Sequence, residues 1–393
     1  MKDLAVQANP GKLEAAKELS IVSRPAAAWT EVASVWKQLE RDSPYATFFV
    51  SQGWVESWLT TFAAVMPVEI VIVRAGSVAV AACLVVRRLR RHGPFRVRRL
   101  FLNTSGEDPG DSPYIEFNNL LCLAGWEKCV CRALYDYICR QPWDECVLDG
   151  FCQGLPLDEL RGLFADALEE RIIRKNYFLD LAQLRDSQQP YESVLRTKTR
   201  TRIRRFFKDY GPTTVVQAQT AEEALLMLDE LAELSRQTWT HRGERTAFAS
   251  RRFVSFHRTL IRRTFAAGAI QLVRVAAGPT VGLLYNFVHD GKVYFYQSGL
   301  NYAACPGAKP GFVTIVSVIR HCLNNPALKE FQFMPGGDEY KEPLATGHDE
   351  QEWIVFKSRS WRNCLISRLQ RVKHCFVPRR SSPVVSGPVV SSP

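Results

Sequence analysis

A chain of 393 residues with 46% hydrophobic and 11% aromatic residues is long enough for two domains with sizeable cores, which excludes a disordered or fibrous protein. A net charge of +11 favours phosphate-bearing partners in general: nucleic acid, anionic lipid or a nucleotide cofactor. The eleven cysteines contain no C-x-x-C pair and histidine is scarce, so the composition points to free thiols and no metal centre. No apolar run is long enough to span a bilayer and no leader pattern opens the chain, so the expectation is a soluble cytoplasmic protein.

Residues 1–24 are polar and read as a flexible extension. Trp29–Glu40 and Ser51–Phe62 carry aromatic and aliphatic residues at helical spacing, and such stripes are core faces. Val68–Arg74 and Val78–Arg87 read as a paired hairpin. Arg87–Arg99 then packs seven arginines around His92-Gly93-Pro94. A solvated hairpin end is the plainest account of it, ahead of a phosphate or nucleic-acid patch. Phe101–Phe117 is a Ser/Gly/Asp loop containing Asp108, Asp111 and Tyr114. Helices are predicted over Gly125–Arg140 and Leu157–Glu170, and strands over Glu145–Phe151 and Asn176–Leu181.

Asp186–Pro190 marks a boundary between a domain at 25–185 and one at 186–370. Tyr191–Tyr210 predicts a basic amphipathic helix, with Lys198, Arg202 and Arg205 in line and Arg200, Arg204 and Lys208 widening the face. Thr220-Ala-Glu-Glu223 is a capping box that opens a helix running to Trp239. His241, Arg242 and Glu244 follow it, and dipole compensation explains a helix-end cation as readily as a site does. Ser250 caps a helix at Arg251–Ala267, and Gly268 ends it. Ile270–Ala276, Val281–His289 and Val293–Leu300 are strands, the last two joined by Asp290-Gly291, a tight-hairpin signal. A Gly/Pro loop leads to a helix over Phe312–Leu323, stopped by Asn324-Asn325-Pro326. Lys329–Phe333 is a short strand. It precedes Pro-Gly-Gly-Asp338-Glu-Tyr340-Lys341, which gathers a carboxylate, a phenol and an ammonium. Trp353–Lys357 is the last strand. Residues 371–393 are low-complexity and cannot bury a core.

A strand, a glycine loop and a helix start expose backbone N–H groups that suit an anion, though an ordinary βα turn has the same form. Arg-Gly-Glu at 242–244, Tyr-Phe-Tyr-Gln-Ser-Gly at 294–299, Pro-Gly at 310–311 and Gly-Asp-Glu-Tyr-Lys at 337–341 occur in an order that resembles the CelD/BcsL-type acetyltransferases of the GNAT superfamily. These are similar to the FemABX peptidyltransferases. After Tyr-Lys the chain has Pro343-Leu344 where the family carries an aromatic.

The resemblance implies two tandem GNAT-like domains of mixed α/β (α+β) class, each a mostly antiparallel sheet flanked by helices, the first catalytically degenerate. It implies an N-acyltransferase that takes its acyl group from acyl-CoA, without a metal, and gives it to a small-molecule, glycan or peptide acceptor. Envelope polysaccharide or specialised-metabolite synthesis would fit. Acyl-CoA would lie along Tyr296, Gln297 and Ser298, with its pyrophosphate at Lys309, Gly311 and Phe312. Asp338, Tyr340 and Lys341 would carry the chemistry. Asp108 and Tyr114 from the first domain, with Arg242 and Glu244, would line the acceptor side. An aminoacyl-tRNA donor, for which the basic helix would suit tRNA, is the alternative enzyme. A non-catalytic binding protein with a decayed fold is the alternative outside enzymes.

Overall fold

The computed structural model describes residues 19–359, apart from residues 93, 94 and 306 and the side chains of 92, 338 and 339. Residues 1–18 and those from 360 on, the expected tail at 371–393 among them, lie outside the described residues; residues 19–24, expected to belong to a flexible extension, instead form a strand paired in the sheet.

The first half contains β1 (Leu19–Pro25), α1 (Trp29–Asp42), α2 (Gln52–Phe62), β2 (Val68–Ala75), β3 (Val78–His92), β4 (Phe95–Leu102), β5 (Leu121–Cys122), α3 (Glu127–Cys139), β6 (Glu145–Cys152), α4 (Leu157–Leu163), β7 (Leu168–Asp180) and α5 (Leu181–Asp186). The second contains α6 (Thr197–Tyr210), β8 (Thr214–Gln217), α7 (Ala221–His241), α8 (Arg251–Thr264), β9 (Ile270–Ala276), β10 (Thr280–His289), β11 (Lys292–Leu300), α9 (Pro310–Leu323), β12 (Glu330–Gln332), α10 (Asp338–Lys341) and β13 (Gly347–Lys357).

All thirteen strands form one sheet in the order β1-β2-β3-β4-β6-β13-β7-β12-β11-β10-β9-β8, with β5 on β3. Most pairings are antiparallel; β4 with β6 and β11 with β12 are parallel. The halves exchange strands. β13 enters between β6 and β7, and the end of β7 pairs with β12. One shared core joins α1 and α2 to α7 and α8, with Trp54 edge-on to Phe256 at 4.8 Å. A second core holds α6 and α9, and a third α3 and α4.

Local signals set most elements. Thr220 and Ser250 cap α7 and α8 by accepting the Glu223 and Phe253 N–H groups. Asp290 and Gly291 have φ of 46° and 77°, as a type I′ turn requires. Three boundaries differ from expectation. The helix from Leu157 stops at Leu163, and the following strand begins at Leu168, because β13 pairs along the whole of β7. Lys357 to Glu170 at 2.6 Å and the Arg171–Glu352 pair fasten that ladder, so cross-strand partners override local helix preference. The basic helix starts at Thr197, since Arg196 is extended (φ −60°, ψ 147°). Cys129 on α3 is exposed.

Five of the seven arginines of the hairpin are paired within the fold. Arg87 pairs with Glu69, Arg88 and Arg90 with Asp108, Arg98 with Asp144 and Arg99 with Glu145.

Candidate active site

Two parallel strand pairs start in register and then part. In the second half, β12 bonds β11 only at Lys292–Tyr294. From Phe295 onward no described strand is bonded to that edge of β11. The register with β10 shifts because Tyr285 faces Gln297 while Asn286 faces Phe295, which makes Tyr296 an extra, bulged residue. Bulges re-aim side chains and free backbone groups next to sites.

The matching gap in the first half, where β4 and β6 part after Phe101 and Val147, is filled by the chain itself. Asn118 makes a parallel bridge to Phe151, and the Asn103 amide donates to Asn118 Oδ1 and Asn119 O, both at 2.7 Å.

That filling segment then meets the side chains of β11 in the second half. Tyr296 O–H donates to Pro113 O at 2.7 Å and meets His257 Nε2 at 3.1 Å, while His257 Nδ1 lies 3.3 Å from Tyr285 Oη. The Phe117 ring stands edge-on to Tyr294 at 4.9 Å. Glu116 therefore sits where the bulge is. It is buried, and burial raises its carboxyl well above the usual range, against the pull of Lys341 and Arg174. Glu107, buried against Trp58 Nε1–H, is raised to about 7 by desolvation. Asp149, which accepts from Ser105 Oγ, is also raised by burial. His257 goes the other way, lowered to about 3 by burial, so it is a neutral strut between α8 and the two strands.

Glu107 yields a stability test. Its folded pKa lies above the unfolded one, so its contribution is fully present below about pH 4.5 and is lost as pH rises through about 7. Glu107→Gln is expected to unfold later than the parent at pH 8, by up to about 3 kcal/mol, and to show no gain at pH 4. Equal denaturation midpoints at both pH values would remove the assignment.

The residues expected from sequence divide three ways. Lys341 is wholly buried, and its ammonium donates to Met334 O at 2.6 Å and Pro335 O at 3.2 Å, fastening the Pro-Gly-Gly loop while facing Glu116 electrostatically. Tyr340 is buried beside it. Asp338 opens the same helical turn, and its side chain lies outside the described residues.

On the cofactor side, the Tyr296 side chain turns into the core rather than along the edge, because the bulge and the His257 contact hold it there. Gln297 and Ser298 stay half-buried beyond the point where β12 leaves. Lys309 is the N-cap of α9 and makes no side-chain cap. Gly311 and Phe312 in the first turn keep N–H groups without helical partners, as every helix start does. Phe312 lies under the Arg202 guanidinium at 5.0 Å.

Asp108 pairs with Arg88 at 3.1 Å and Asp111 with Arg252 at 2.9 Å, so both fasten the loop. Tyr114, at φ 51°, donates to Pro109 O. Arg242 stacks on Trp239 at 5.5 Å at the exposed end of α7, and Glu244 caps that end through its N–H to Trp239 O. Thr238, one turn earlier, reaches Leu300 O at 3.5 Å, so this turn borders the far end of β11.

Sequence reasoning missed Glu116, Glu107 and Gln351. The available signal for Glu116 was one acid between Ile115 and Phe117, which are apolar neighbours that a solvated loop does not need. Among the described residues no cluster of His, Cys, Asp or Glu could hold a metal ion, and no helix is long and apolar enough to cross a membrane.

A mixed, mostly antiparallel sheet flanked by helices, with a parallel pair parting ahead of a helix start, defines a tandem fold of the GNAT type. Residues 193–342 match the family model described as an acetyltransferase (GNAT) domain, so the chain carries such a domain in its second half. The structure is similar to FemX, with TM-score 0.52 and 10% identity over 86% of this chain and 98% of that one. It is also similar to a conserved protein of unknown function from Bacteroides thetaiotaomicron, with TM-score 0.50 and 11% identity over 86% and 100%. No curated protein sequence matches the chain. The family match supports an acyltransferase.

Proposed function

We propose that the chain is an N-acyltransferase that draws its acyl group from acyl-CoA and delivers it to an amine. The observation that carries this is the bulged edge of β11, free of β12 beyond Tyr294, beside the first turn of α9. A pantetheine amide chain can bond such an edge as a strand would, and the pyrophosphate suits the Gly311 and Phe312 N–H groups. Glu116 takes the proton of the attacking ammonium, a role for which a carboxyl raised toward neutrality is suited. A backbone N–H at the bulge stabilises the carbonyl oxygen as it becomes an oxyanion. Tyr340 returns a proton to the departing thiolate. Lys341 fixes the loop that carries Tyr340. The CelD/BcsL-type group and a glycan or peptide acceptor remain part of this reading.

One observation favours an aminoacyl-tRNA donor instead. Arg196, Lys198, Arg200, Arg202, Arg204, Arg205 and Lys208 lie on or next to one helix that contains no acid before Asp209. Its apolar side, Thr199, Ile203 and Phe206, is packed inward, which leaves the cations outward.

The two readings separate by binding. Acetyl-CoA at 100 times its Kd is expected to stabilise the protein by about 2.7 kcal/mol, read as a rise in melting temperature. A protein unmoved by CoA that binds tRNA with steep salt dependence would replace the first reading with the second.

A further inference from the structure

We infer that the cleft between the halves, behind the Phe117–Tyr294 ring pair, binds an amino-sugar residue of a glycan. This deepens the acyl-transfer reading by naming its acceptor class, and it rests on that reading only in calling the sugar an acceptor. The cleft measures about 860 Å³, within the range of ligand sites, and both halves line it.

Gln351 supplies the strongest pointer. It is 1% exposed, and its Oε1 accepts the Phe117 N–H at 2.8 Å. Its Nε2 donor is buried and has no partner, although it belongs to a residue that lines the cleft. A buried donor without an acceptor is costly, and a ligand hydroxyl would satisfy it.

Charge narrows the ligand further. The lining holds Asp290, which pairs with Lys329 at 3.4 Å, and Asp349 and Glu350, against one ammonium, Lys292, which is itself 3.4 Å from Glu330. His289 does not offset this, because burial lowers its pKa. An acidic lining repels phosphate and carboxylate groups and attracts an ammonium. Tyr294 and Phe117, both largely buried, add an aromatic wall to the lining. An amine-bearing polyol satisfies all three features, whereas a nucleotide-linked sugar does not.

The test titrates β-1,4-linked glucosamine disaccharide into the full chain without acyl donor, following histidine ring protons by NMR. Of the seven histidines, His289 and His348 are expected to shift and the other five to stay. UDP-glucosamine is expected to bind at least ~10-fold more weakly, and the double variant Asp349→Asn, Glu350→Gln to lose ~10-fold for glucosamine disaccharide while cellobiose is unaffected. Asp349 is exposed and Glu350 half-buried, so the variant keeps its core. Gln351→Glu, which retains the acceptor for Phe117 N–H but loses the Nε2 donor, is expected to weaken cellobiose, which has no ammonium to gain from the added carboxylate. No shift at His289 and His348 at millimolar sugar, or equal binding of UDP-glucosamine, overturns the proposal. Sugar binding without acyl transfer would remove the acyltransferase reading alone, and a CoA response without sugar binding would remove this one alone.

Discussion

Exchange of Glu116 for glutamine lowers turnover with acyl-CoA by about 10²- to 10⁴-fold while leaving the CoA-induced rise in melting temperature in place, the range spanned by loss of a positioned general base. Glutamine keeps the shape and hydrogen bonding of the site and removes only the proton acceptor. The pH profile supplies the second readout. The active form is the carboxylate, and burial raises its pKa, so kcat/KM climbs with pH along a limb displaced upward from the ordinary carboxylate range. That limb is absent in the variant. Lys341 and Arg174 oppose the displacement, so Lys341→Met should move the limb further upward rather than abolish it. Full turnover in Glu116→Gln would end the role assigned to this carboxyl.

The second large effect concerns Gly150, at the end of β6. Its φ is 64°, and a Cβ there would lie 2.5 Å from Ile115 O and 3.1 Å from Glu116 Cα. Gly150→Ala therefore combines backbone strain with a clash against main chain that has no rotamer to yield. A loss of about 2–4 kcal/mol is expected. Turnover falls as well, because the displaced segment is the one that carries Glu116. Gly154→Ala is the matched control: its φ is 90° with nothing within 4 Å of the added carbon. It should lose about 1 kcal/mol from strain and keep its turnover. Melting curves and initial rates of the two variants, measured side by side, decide the matter. Equal behaviour would mean that the approach to Ile115 is not tight.

The elements legible in the sequence were those whose signals are local. The Thr220 and Ser250 caps, the Asp290-Gly291 turn and the basic amphipathic helix needed no knowledge of distant partners. The start of β7 was not legible, because Glu169–Ile173 becomes a strand only through a partner nearly two hundred residues away. The site follows the same division. The Pro310-Gly311 helix start and the Tyr340-Lys341 turn announce themselves by composition. Glu116 does not, because its importance comes from burial against Gly150, Phe117 and Lys341, three contacts that no spacing rule connects. Asp108 shows the converse: its arginine partners, Arg88 and Arg90, lie on the hairpin and become visible only in the fold.

Strand exchange carries a consequence for biosynthesis. A nascent chain leaves the ribosome with β6 and β7 already made, yet the slot between them is filled only when Gly347–Lys357 emerges. Until then both bare edges are open to pairing with any strand nearby, including that of a neighbouring polysome product. Expression of the first half by itself would leave those edges permanently exposed. Co-expression of the two pieces, by contrast, would let the missing strand arrive from the other polypeptide.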